Sequence, residues 1–583
     1  MSDGPEKIYF VTAIGGRYGR GHFTRSVILA HFLQDKGYLP VFVAEPNSEL
    51  YTKAEDNGFE AYSPSIIAST EARAIIVDKR ETPPAVIREL KRTAPVIVID
   101  SLGPETAIAD IVIDELPAPE TKRMLNIRPF ECTVLAAPGG KKRTVPANVR
   151  HVFVYLGSDA PLLAYAEKLF APFTKIRFTV VSGAVERETR KGNIKFRPFD
   201  EHTPPRLSFY DAVITYFGLT AFEAIMTGVP TAVLAPTEYH ASLASLCGDI
   251  FFDLGYYRNT PVTQARDQLV YFFNKHEVRT EKIAAAKKIH IDHSLAALHA
   301  VINGSSQLRG NCIACGTPLK RIVARAHESN LYHCSRCATL NRRYFLPLKL
   351  TYERDYFTTQ YRAQYGRTYE DDIPAIRLMA RRRIAVMKEL LPRGRILDAG
   401  CALGFFLLEA RDAGYEPYGI EISSFAANYA KRRFDIDVRT GGFEKFDIGE
   451  PFNAVTAWYF LEHTDDIRAM IQKIHALLAV NGVLAFAMPN ARGISAILNR
   501  KHYRKSVPVD HRAEFTPESM DRLLRQEGFV RERAVATGIH WQRFLKLIHL
   551  PFLEKAGVLE MWYRKIAETF LLGDTFEGYY RKR

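Results

Sequence analysis

The feature that most constrains the fold is a glycine-containing turn between an apolar strand and a helix in the C-terminal half of the chain. The turn, Asp398-Ala399-Gly400-Cys401-Ala402-Leu403-Gly404, follows Arg395-Ile396-Leu397 and leads into Phe405-Phe406-Leu407-Leu408-Glu409-Ala410. Such a turn lets a ligand approach bare backbone at the carboxyl end of a parallel strand. It therefore predicts a doubly wound α/β sheet with a ligand at this edge.

Three further apolar segments continue the pattern toward the C-terminus. They are Tyr418-Gly419-Ile420-Glu421, Phe452-Asn453-Ala454-Val455-Thr456-Ala457 and Gly482-Val483-Leu484-Ala485-Phe486-Ala487-Met488-Pro489. Together with the turn, these segments resemble a class I S-adenosylmethionine (SAM)-dependent methyltransferase, from near Tyr352 to the C-terminus. The resemblance implies a Rossmann-like fold with SAM as cofactor. An ordinary doubly wound domain without a cofactor is the alternative.

The same resemblance assigns cofactor contacts to individual residues. Asp398 and Gly400 would line the methionine moiety, with Gly404 in the same turn. Glu421 would bind the ribose hydroxyls, because an acid at the end of the second strand serves this purpose in such folds. Phe443 lies where the adenine-contacting loop of the family falls. Ala402 departs from the family, which usually has a glycine there, and its methyl group narrows the turn.

Methyl transfer is an in-line displacement at a sulfonium carbon, so the enzyme must align the acceptor and usually remove its proton. Histidine suits that proton transfer because its pKa lies near neutrality. In the resembling family a Glu-His pair after the third strand lines the acceptor site, which implies this place for Glu462 and the role of base for His463. The alternative is that His463 only positions the loop. His511 matches the family's His-x-x-x-Phe-Thr segment and is a further acceptor-site candidate.

Two Cys-x-x-Cys pairs precede this region. Cys312 and Cys315 are separated by eighteen residues from Cys334 and Cys337. Four thiolates at this spacing suit one tetrahedral Zn²⁺ and leave no open coordination position, so we predict a small zinc ribbon with a structural role. Cysteines without a metal, and a ribbon that binds nucleic acid, are the alternatives.

A tyrosine-rich linker follows the ribbon. A ribbon and linker in this order resemble methyltransferases of the sugar and small-molecule type that carry an N-terminal zinc-binding domain. By that resemblance, Tyr365 in Gln364-Tyr365-Gly366-Arg367-Thr368-Tyr369 would help to close the cofactor and substrate site. Packing of the domain junction is the alternative.

The N-terminal half alternates short apolar strands with amphipathic helices, which is typical of a parallel sheet covered on both faces. The stretch Pro138-Gly139-Gly140-Lys141-Lys142-Arg143 interrupts the pattern, and a second series begins at Val152-Phe153-Val154-Tyr155-Leu156. We therefore predict two lobes with a cleft between them.

The segment from Gly15 to Ser26 contains Gly19-Arg20-Gly21-His22-Phe23-Thr24-Arg25 and follows the first strand. Glycines at the start of a helix let backbone N–H groups face a diphosphate. Gly-x-Gly-His-x-x-Arg resembles nucleotide-sugar enzymes of the GT-B fold, most closely the nucleotide-sugar hydrolase family of pseudaminic acid biosynthesis.

That resemblance implies that His22 activates water or an acceptor hydroxyl. It places the substrate near Gly19, Gly21, Arg25, Asp100, Gly218, Thr220 and Glu223. Two departures are the reduction of a double glycine to Gly218 and the replacement of an Asn-Gln pair near Tyr239-His240. Hydrolysis, glycosyl transfer and binding without catalysis therefore all remain open for this half.

The chain has 583 residues, which is too long for a single core. We predict GT-B-like lobes at 1–145 and 146–305, the ribbon at 308–345 and the methyltransferase at 350–583. The net charge of +14 favours substrates that carry diphosphate, although a merely solvated basic surface would give the same value. Without a nucleic-acid motif, we expect no nucleic acid as partner.

The N-terminus lacks a basic leader region, and no apolar stretch reaches the length of a membrane span. We therefore expect a cytoplasmic protein. The segment from Trp541 to Phe570 is predicted to be an inserted helical segment. It would form either a lid over the substrate or a helix in peripheral contact with a membrane surface.

These features predict a bifunctional enzyme of glycan or nucleotide-sugar biosynthesis. One half would bind or convert a nucleotide-linked sugar, and the other would methylate a sugar or glycan precursor. The alternative is an RNA or protein methyltransferase with a non-catalytic N-terminal binding module. The sequence leaves open the sugar, the nucleotide, the methylated atom and the oligomeric state.

Overall fold

The computed structural model describes residues 5–14, 21–67, 71–118, 123–131, 133–134, 144–199, 206–289, 295–348, 357, 359, 362, 366, 368–446, 449–553 and 557–583. Gly19 and Tyr365, two predicted substrate contacts, lie outside these residues. The chain divides into two compact units, Met1–Leu308 and Arg309–Arg583. Within the described part, none of the helices has both the length and the apolar character needed to cross a membrane.

The first unit begins with a parallel six-stranded sheet in the order β3-β2-β1-β4-β5-β6. Its strands are β1 (Lys7–Thr12), β2 (Leu39–Val43), β3 (Glu60–Tyr62), β4 (Ala74–Asp78), β5 (Val96–Ile99) and β6 (Ile111–Ile113). The central strands are continuous buried apolar runs, as expected for a sheet covered on both faces. The strand order reverses between β1 and β4, so the segments after these two strands border a crevice at the carboxyl edge.

A second sheet of seven strands completes the first unit, in the order β13-β12-β11-β7-β8-β10-β9. Its strands are β7 (His151–Tyr155), β8 (Arg177–Ser182), β9 (Thr189–Lys191), β10 (Ile194–Pro198), β11 (Ala212–Thr215), β12 (Thr231–Ala235) and β13 (Phe252–Tyr256). All neighbours are parallel except β9 and β10. Here the order reverses between β7 and β11.

Ten helices cover these two sheets in the described part of the unit. They are α1 (Gly21–Asp35), α2 (Glu49–Asp56), α3 (Pro64–Ile67), α4 (Pro84–Thr93), α5 (Ala160–Phe170), α6 (Leu219–Met226), α7 (Glu238–Leu246), α8 (Val262–Asn274), α9 (His276–Lys288) and α10 (Leu295–Gly304). The two predicted series of alternating strands and helices are therefore confirmed.

The second unit begins with a small antiparallel sheet in the order β14-β15-β16-β22. Its strands are β14 (Arg321–Arg325), β15 (Ser329–His333), β16 (Leu340–Tyr344) and β22 (Ala513–Glu514). The first three come from the cysteine region, whereas β22 comes from the segment just after His511. This pairing joins the two regions that were predicted from the sequence as separate domains, the ribbon and the methyltransferase.

The large sheet of the second unit has the order β19-β18-β17-β20-β21-β24-β23. Its strands are β17 (Arg395–Ala399), β18 (Glu416–Glu421), β19 (Asp437–Thr440), β20 (Phe452–Trp458), β21 (Leu478–Pro489), β23 (Phe529–Thr537) and β24 (Thr575–Lys582). The first five strands pair in parallel, and β24 runs antiparallel to both of its neighbours. The order reverses between β17 and β20, which creates the crevice where a ligand binds in such sheets.

The helices of the second unit pack mainly around this large sheet. They are α11 (Tyr369–Leu390), α12 (Phe405–Asp412), α13 (Ser424–Phe434), α14 (Ile467–Leu477), α15 (Ile494–Leu498), α16 (Arg500–Ser506), α17 (Pro517–Gln526), α18 (Trp541–Leu547) and α19 (Gly557–Thr569). The predicted inserted helical segment corresponds to α18 and α19. Their mutual contact is aromatic, since the ring of Phe544 stacks on that of Tyr563 with centroids 4.6 Å apart.

Candidate active site

The turn between β17 and α12 adopts left-handed backbone conformations. The φ angles of Gly400, Ala402 and Gly404 are 70°, 47° and 81°. A Cβ atom at Gly400 would lie 2.8 Å from the ring of Phe460, so this position needs glycine for both space and backbone. Ala402 accepts a conformation that costs an L-residue about 1–2 kcal/mol. Its N–H donates a hydrogen bond of 2.8 Å to Glu421 Oε2, which helps to hold it there.

Glu421 joins the two loops that the sequence expects around the methyl donor. Besides the bond from Ala402, its Oε1 accepts a hydrogen bond of 2.9 Å from the N–H of Ser423. The turn after β17 and the turn after β18 are therefore held together by one carboxylate. Glu421 therefore lies at the predicted edge of the sheet, where it is only 7% exposed.

Asp398 is inside the sheet rather than on its rim. It is 2% exposed, and its Oδ1 accepts a hydrogen bond of 2.6 Å from the hydroxyl of Thr456 on β20. Burial raises the pKa of Asp398 to about 7, while the hydrogen bond from Thr456 and the charge of Arg383 act in the opposite direction. Asp398 thus ties β17 to β20 directly beneath the crevice.

Phe443 occupies a short 3-10 turn, Phe443–Lys445, after β19. Its ring is buried and packs edge to face against Phe460, with centroids 5.8 Å apart. Phe460 is also the ring that a Cβ atom at Gly400 would strike. The predicted adenine loop and the glycine turn therefore share one aromatic contact.

The predicted acceptor residues come together after β20. Glu462 and His463 lie in a 3-10 turn, Leu461–His463, just after β20. One ligand atom from each of Glu462, His463 and His511 lies within 4.8 Å of the other two. The rings of His463 and His511 meet edge to face with centroids 4.7 Å apart. We call these three residues the acceptor cluster.

Each histidine of the acceptor cluster has a carboxylate behind it. Nδ1 of His463 lies 3.2 Å from an oxygen of Asp510, and Nδ1 of His511 lies 3.0 Å from an oxygen of Glu514. Glu462 is 1% exposed, and neither of its carboxylate oxygens has a hydrogen-bond partner among the described residues. Burial raises the pKa of Glu462 to about 7, although the nearby His463 lowers it. Asp510 and Glu514 were not predicted from the sequence, although both lie within three residues of His511.

The small antiparallel sheet positions the chain segment that carries His511. Asn341 on β16 pairs with Ala513, and Leu340 pairs with Glu514. The buried guanidinium of Arg342 donates from Nε to the carbonyl of His511 and from Nη2 to the carbonyl of Val507. The cysteine region therefore supports the acceptor cluster, which local sequence patterns did not reveal.

The four predicted metal-binding cysteines come together at one end of this small sheet. Their sulfur atoms all lie within 4.8 Å of one another. The Sγ atoms of Cys312 and Cys337 are 3.5 Å apart, as are those of Cys315 and Cys334. Four thiolates around Zn²⁺ at about 2.3 Å place their sulfurs about 3.8 Å apart, so the donor set suits this ion. These four residues would hold it and leave no position for substrate.

A second charged cluster lies at the carboxyl edge of the first sheet, at the reversal between β1 and β4. Nδ1 of His22 lies 2.6 Å from Oδ1 of Asp78, the last residue of β4. Arg25 is buried and contacts Asp78, Asp100 and Glu115. The predicted contacts His22, Arg25 and Asp100 are therefore brought together, and Gly21 opens the helix that carries the first two.

Asp78 and Glu115 are members of this cluster that sequence analysis missed. Burial alone would raise the pKa of Asp78, but the charges of Arg25 and His22 lower it to about 2. For Glu115, burial raises the pKa, and Arg25 offsets only part of the increase. The terminal acid of the strand Ala74–Asp78 was an available signal, because the ends of neighbouring parallel strands share an edge.

The predicted phosphate loop follows β11, at the reversal point of the second sheet. Gly218 directly precedes α6, and Thr220 and Glu223 are half-buried in that helix. In the same lobe, the ring of Tyr216 meets that of His240, with centroids 5.3 Å apart. Arg80, two residues after Asp78, lies 3.5 Å from the ring centroid of Tyr239. The carboxyl edges of both sheets therefore face a common region of the first unit.

Known proteins are similar to part of the chain. A family model described as a methyltransferase domain matches residues 369–532. The ubiquinone biosynthesis O-methyltransferase of Rhodopseudomonas palustris (strain HaA2) is 32% identical over 101 residues, which cover 16% of this chain and 40% of that protein. The dTDP-4-amino-2,3,4,6-tetradeoxy-D-glucose N,N-dimethyltransferase of Saccharopolyspora spinosa is 28% identical over 106 residues, covering 17% and 43%. The matched part thus spans less than half of either relative.

Among solved structures, magnesium protoporphyrin IX methyltransferase from Synechocystis PCC 6803 is 17% identical with a TM-score of 0.28, covering 40% of this chain and 97% of that chain. The match of the family model, with the strand order and the glycine turn, defines a class I methyltransferase domain. Residues 369–532 of the protein are a SAM-dependent methyltransferase domain.

Proposed function

We propose that the protein transfers a methyl group from SAM to a sugar or glycan precursor, and that its first unit binds a nucleotide-linked sugar. The observation that carries the first part is the crevice between β17 and β20. On one side, Glu421 holds the glycine turn, where the methyl donor would bind. On the other, Glu462, His463 and His511 come together, and we propose that the acceptor binds and loses its proton there.

The kind of acceptor is suggested by two features. The relative from Saccharopolyspora spinosa is named for methylation of a dTDP-linked amino sugar. The relatives from Rhodopseudomonas palustris are named as O-methyltransferases. We therefore propose oxygen or nitrogen of a sugar as the methylated atom.

The first unit supports the nucleotide-sugar part through its charged cluster. His22 is held at the crevice by an ionised carboxylate, and the loop that leads through Gly218 into the first turns of α6, as far as Glu223, lies at the corresponding edge of the second sheet. We propose that the loop binds nucleotide phosphate and that His22 activates water or an acceptor hydroxyl. The four cysteines of the second unit are proposed to hold one structural Zn²⁺.

Calorimetry with S-adenosylhomocysteine tests the methyltransferase assignment. We expect binding by the full chain, and a marked loss of affinity in Glu421→Ala because the ribose hydroxyls lose their acceptor and the two loops lose their link. Glu416→Ala, an exposed acid at the start of the same strand, is the matched control and should bind normally. Unchanged affinity in Glu421→Ala would refute the ribose assignment.

Methyl transfer from radiolabelled SAM to dTDP-, UDP-, GDP- and CMP-sugars tests the acceptor class. We expect label in at least one sugar. If label enters only total RNA or protein, the glycan assignment is wrong and the methyltransferase acts on a macromolecule.

A further inference from the structure

We propose that Glu462, His463 and His511 bind a divalent metal ion at the methyl-acceptor site. The inference rests on the proposed function, because it gives that site a cofactor besides SAM. This ion is separate from the proposed zinc of the four cysteines. It would bring the acceptor oxygen or nitrogen into the crevice and assist in the loss of its proton.

The composition of the acceptor cluster suits such an ion. Two imidazoles and one carboxylate form a donor set for Mn²⁺, Fe²⁺, Co²⁺ or Zn²⁺ that leaves coordination positions for substrate. One donor atom from each residue already lies within 4.8 Å of the other two. Three donors bound to such an ion at about 2.0–2.2 Å would lie within this separation of one another.

Glu462 gives an independent reason to place a cation here. Its side chain is 1% exposed, and neither carboxylate oxygen has a hydrogen-bond partner among the described residues. Burying a carboxylate without hydrogen bonds or an opposite charge is costly. A divalent ion bound at this point would supply the opposite charge.

The carboxylates behind the two histidines complete the pattern. Metal-binding histidines usually direct their second ring nitrogen to a carboxylate or carbonyl, which fixes the ring and leaves the other nitrogen for the metal. Here Nδ1 of His463 lies 3.2 Å from Asp510, and Nδ1 of His511 lies 3.0 Å from Glu514. Nε2 of each ring is then the nitrogen that carries the lone pair for coordination.

The ion would act on the acceptor as a Lewis acid. A hydroxyl bound to a divalent ion loses its proton to solvent at a lower pH than a free hydroxyl. The oxygen lone pair then forms the new bond to the methyl carbon of SAM. The carbon–sulfur bond breaks, and the sulfonium becomes the neutral thioether of S-adenosylhomocysteine. In this arrangement His463 holds the ion instead of accepting the proton itself.

Titration of the full chain with Mn²⁺, followed by electron paramagnetic resonance of the free ion, tests the inference without requiring turnover. We expect one Mn²⁺ site per chain. It should still be present in Cys334→Ser, because hard Mn²⁺ does not use the thiolate ligands, although looser pairing of β22 lowers its affinity. Glu462→Gln should weaken Mn²⁺ binding by about 100-fold or more, and Glu514→Gln by about 10–100-fold, as for partners behind metal ligands.

Two controls separate this inference from the methyltransferase assignment. Glu518→Gln changes an exposed acid on α17 and should bind Mn²⁺ normally. The affinity for S-adenosylhomocysteine should be unchanged in Glu462→Gln, and this result would show that the variant is folded. If Glu462→Gln does not fold, His511→Gln is used in its place. Mn²⁺ binding that Glu462→Gln leaves unaltered, or no binding at millimolar Mn²⁺, overturns the metal site and leaves His463 as the base. Failure to bind S-adenosylhomocysteine would instead overturn the proposed function.

Discussion

At the scale of single residues, buried carboxylates define both candidate sites. Asp78 is 1% exposed and keeps its charge because Arg25 and His22 surround it. Glu462 is equally buried but has no hydrogen-bond partner among the described residues. The pKa values of the two acids are therefore shifted in opposite directions. That of Asp78 is lowered to about 2, and that of Glu462 is raised to about 7.

The lowered pKa of Asp78 predicts a pH-dependent contribution to stability. An unfolded aspartate has a pKa of about 3.9, so the contribution is fully present above about pH 4 and is lost as pH falls through about 2. A shift of this size corresponds to about 2–3 kcal/mol. Asp78→Asn should therefore lower the urea midpoint of the first unit at pH 7, measured by proteolysis and peptide mass spectrometry, and the difference from wild type should shrink between pH 4 and 2.

Asp35→Asn, at an exposed position of α1, is the matched control for this measurement. It should leave the midpoint unchanged at both pH values. A difference between wild type and Asp78→Asn that stays constant with pH would contradict the ionised state of Asp78.

At the scale of elements, the turn after β17 and the small antiparallel sheet position the residues of the candidate active site. The turn places backbone at the cofactor edge because Gly400 has a φ of 70° and no side chain. The small sheet places His511 and Glu514 because β22 is its fourth strand. In both cases the backbone of the element sets the position of residues proposed to contact a ligand.

Alanine substitutions of Gly400 and Gly414 distinguish the effect of backbone strain from that of a steric clash. Gly400→Ala adds a methyl group 2.8 Å from Phe460, whereas Gly414→Ala, at a φ of 90°, meets open space. Both variants should lose about 1–3 kcal/mol of stability from the left-handed backbone. Only Gly400→Ala should also weaken S-adenosylhomocysteine binding in calorimetry, and equal affinities in the two variants would show that the turn does not contact the cofactor.

Loss of the cysteine site should reach the acceptor cluster through β16. Cys334→Ser should release the proposed zinc, detected by elemental analysis, and loosen the strand that pairs with Ala513 and Glu514. Methyl transfer should fall by up to about 100-fold because the acceptor is misaligned. Affinity for S-adenosylhomocysteine should change little, since its contacts lie on other loops. A fully active variant without metal would show that the ribbon has no part in positioning.

At the scale of the whole molecule, each of the two units has its own charged cluster at a reversal of strand order. His22 and Asp78 lie at the reversal between β1 and β4, and the acceptor cluster lies at the one between β17 and β20. The activities proposed for the two units should therefore be separable by single substitutions.

His22→Gln tests this separation. We expect nucleotide-sugar affinity to stay within a few-fold of wild type across UDP-, GDP-, CMP- and dTDP-sugars. Turnover by the first unit should fall by about 10²–10⁴, the usual contribution of a positioned proton acceptor. S-adenosylhomocysteine affinity should be unaffected. Lost affinity with surviving turnover would make His22 a phosphate contact, and an absence of binding across the whole panel would contradict the nucleotide-sugar assignment.

Much of the architecture is encoded in local patterns of the sequence. The apolar runs predicted as strands, such as Val96-Ile97-Val98-Ile99-Asp100 and Phe452-Asn453-Ala454-Val455-Thr456-Ala457, coincide with β5 and β20 to within a residue or two. Alternation of such runs with helices requires parallel sheets, and a glycine turn after a strand marks the ligand edge. Neighbouring residues suffice for these predictions because hydrophobic period and backbone freedom are local properties.

The partners of the candidate catalytic residues were decided only by the tertiary structure. Asp78 is 56 positions from His22, and Arg342 is 169 positions from the His511 carbonyl that it binds. Local periodicity cannot specify such pairs, because they depend on which strands become neighbours and in what register. For the same reason, the sequence predicted the Glu462-His463 pair and His511 as acceptor-site candidates but did not predict that they contact each other. The order of β17, β20 and β22 in their sheets brings them together and buries the carboxylate of Glu462 without a hydrogen-bond partner among the described residues.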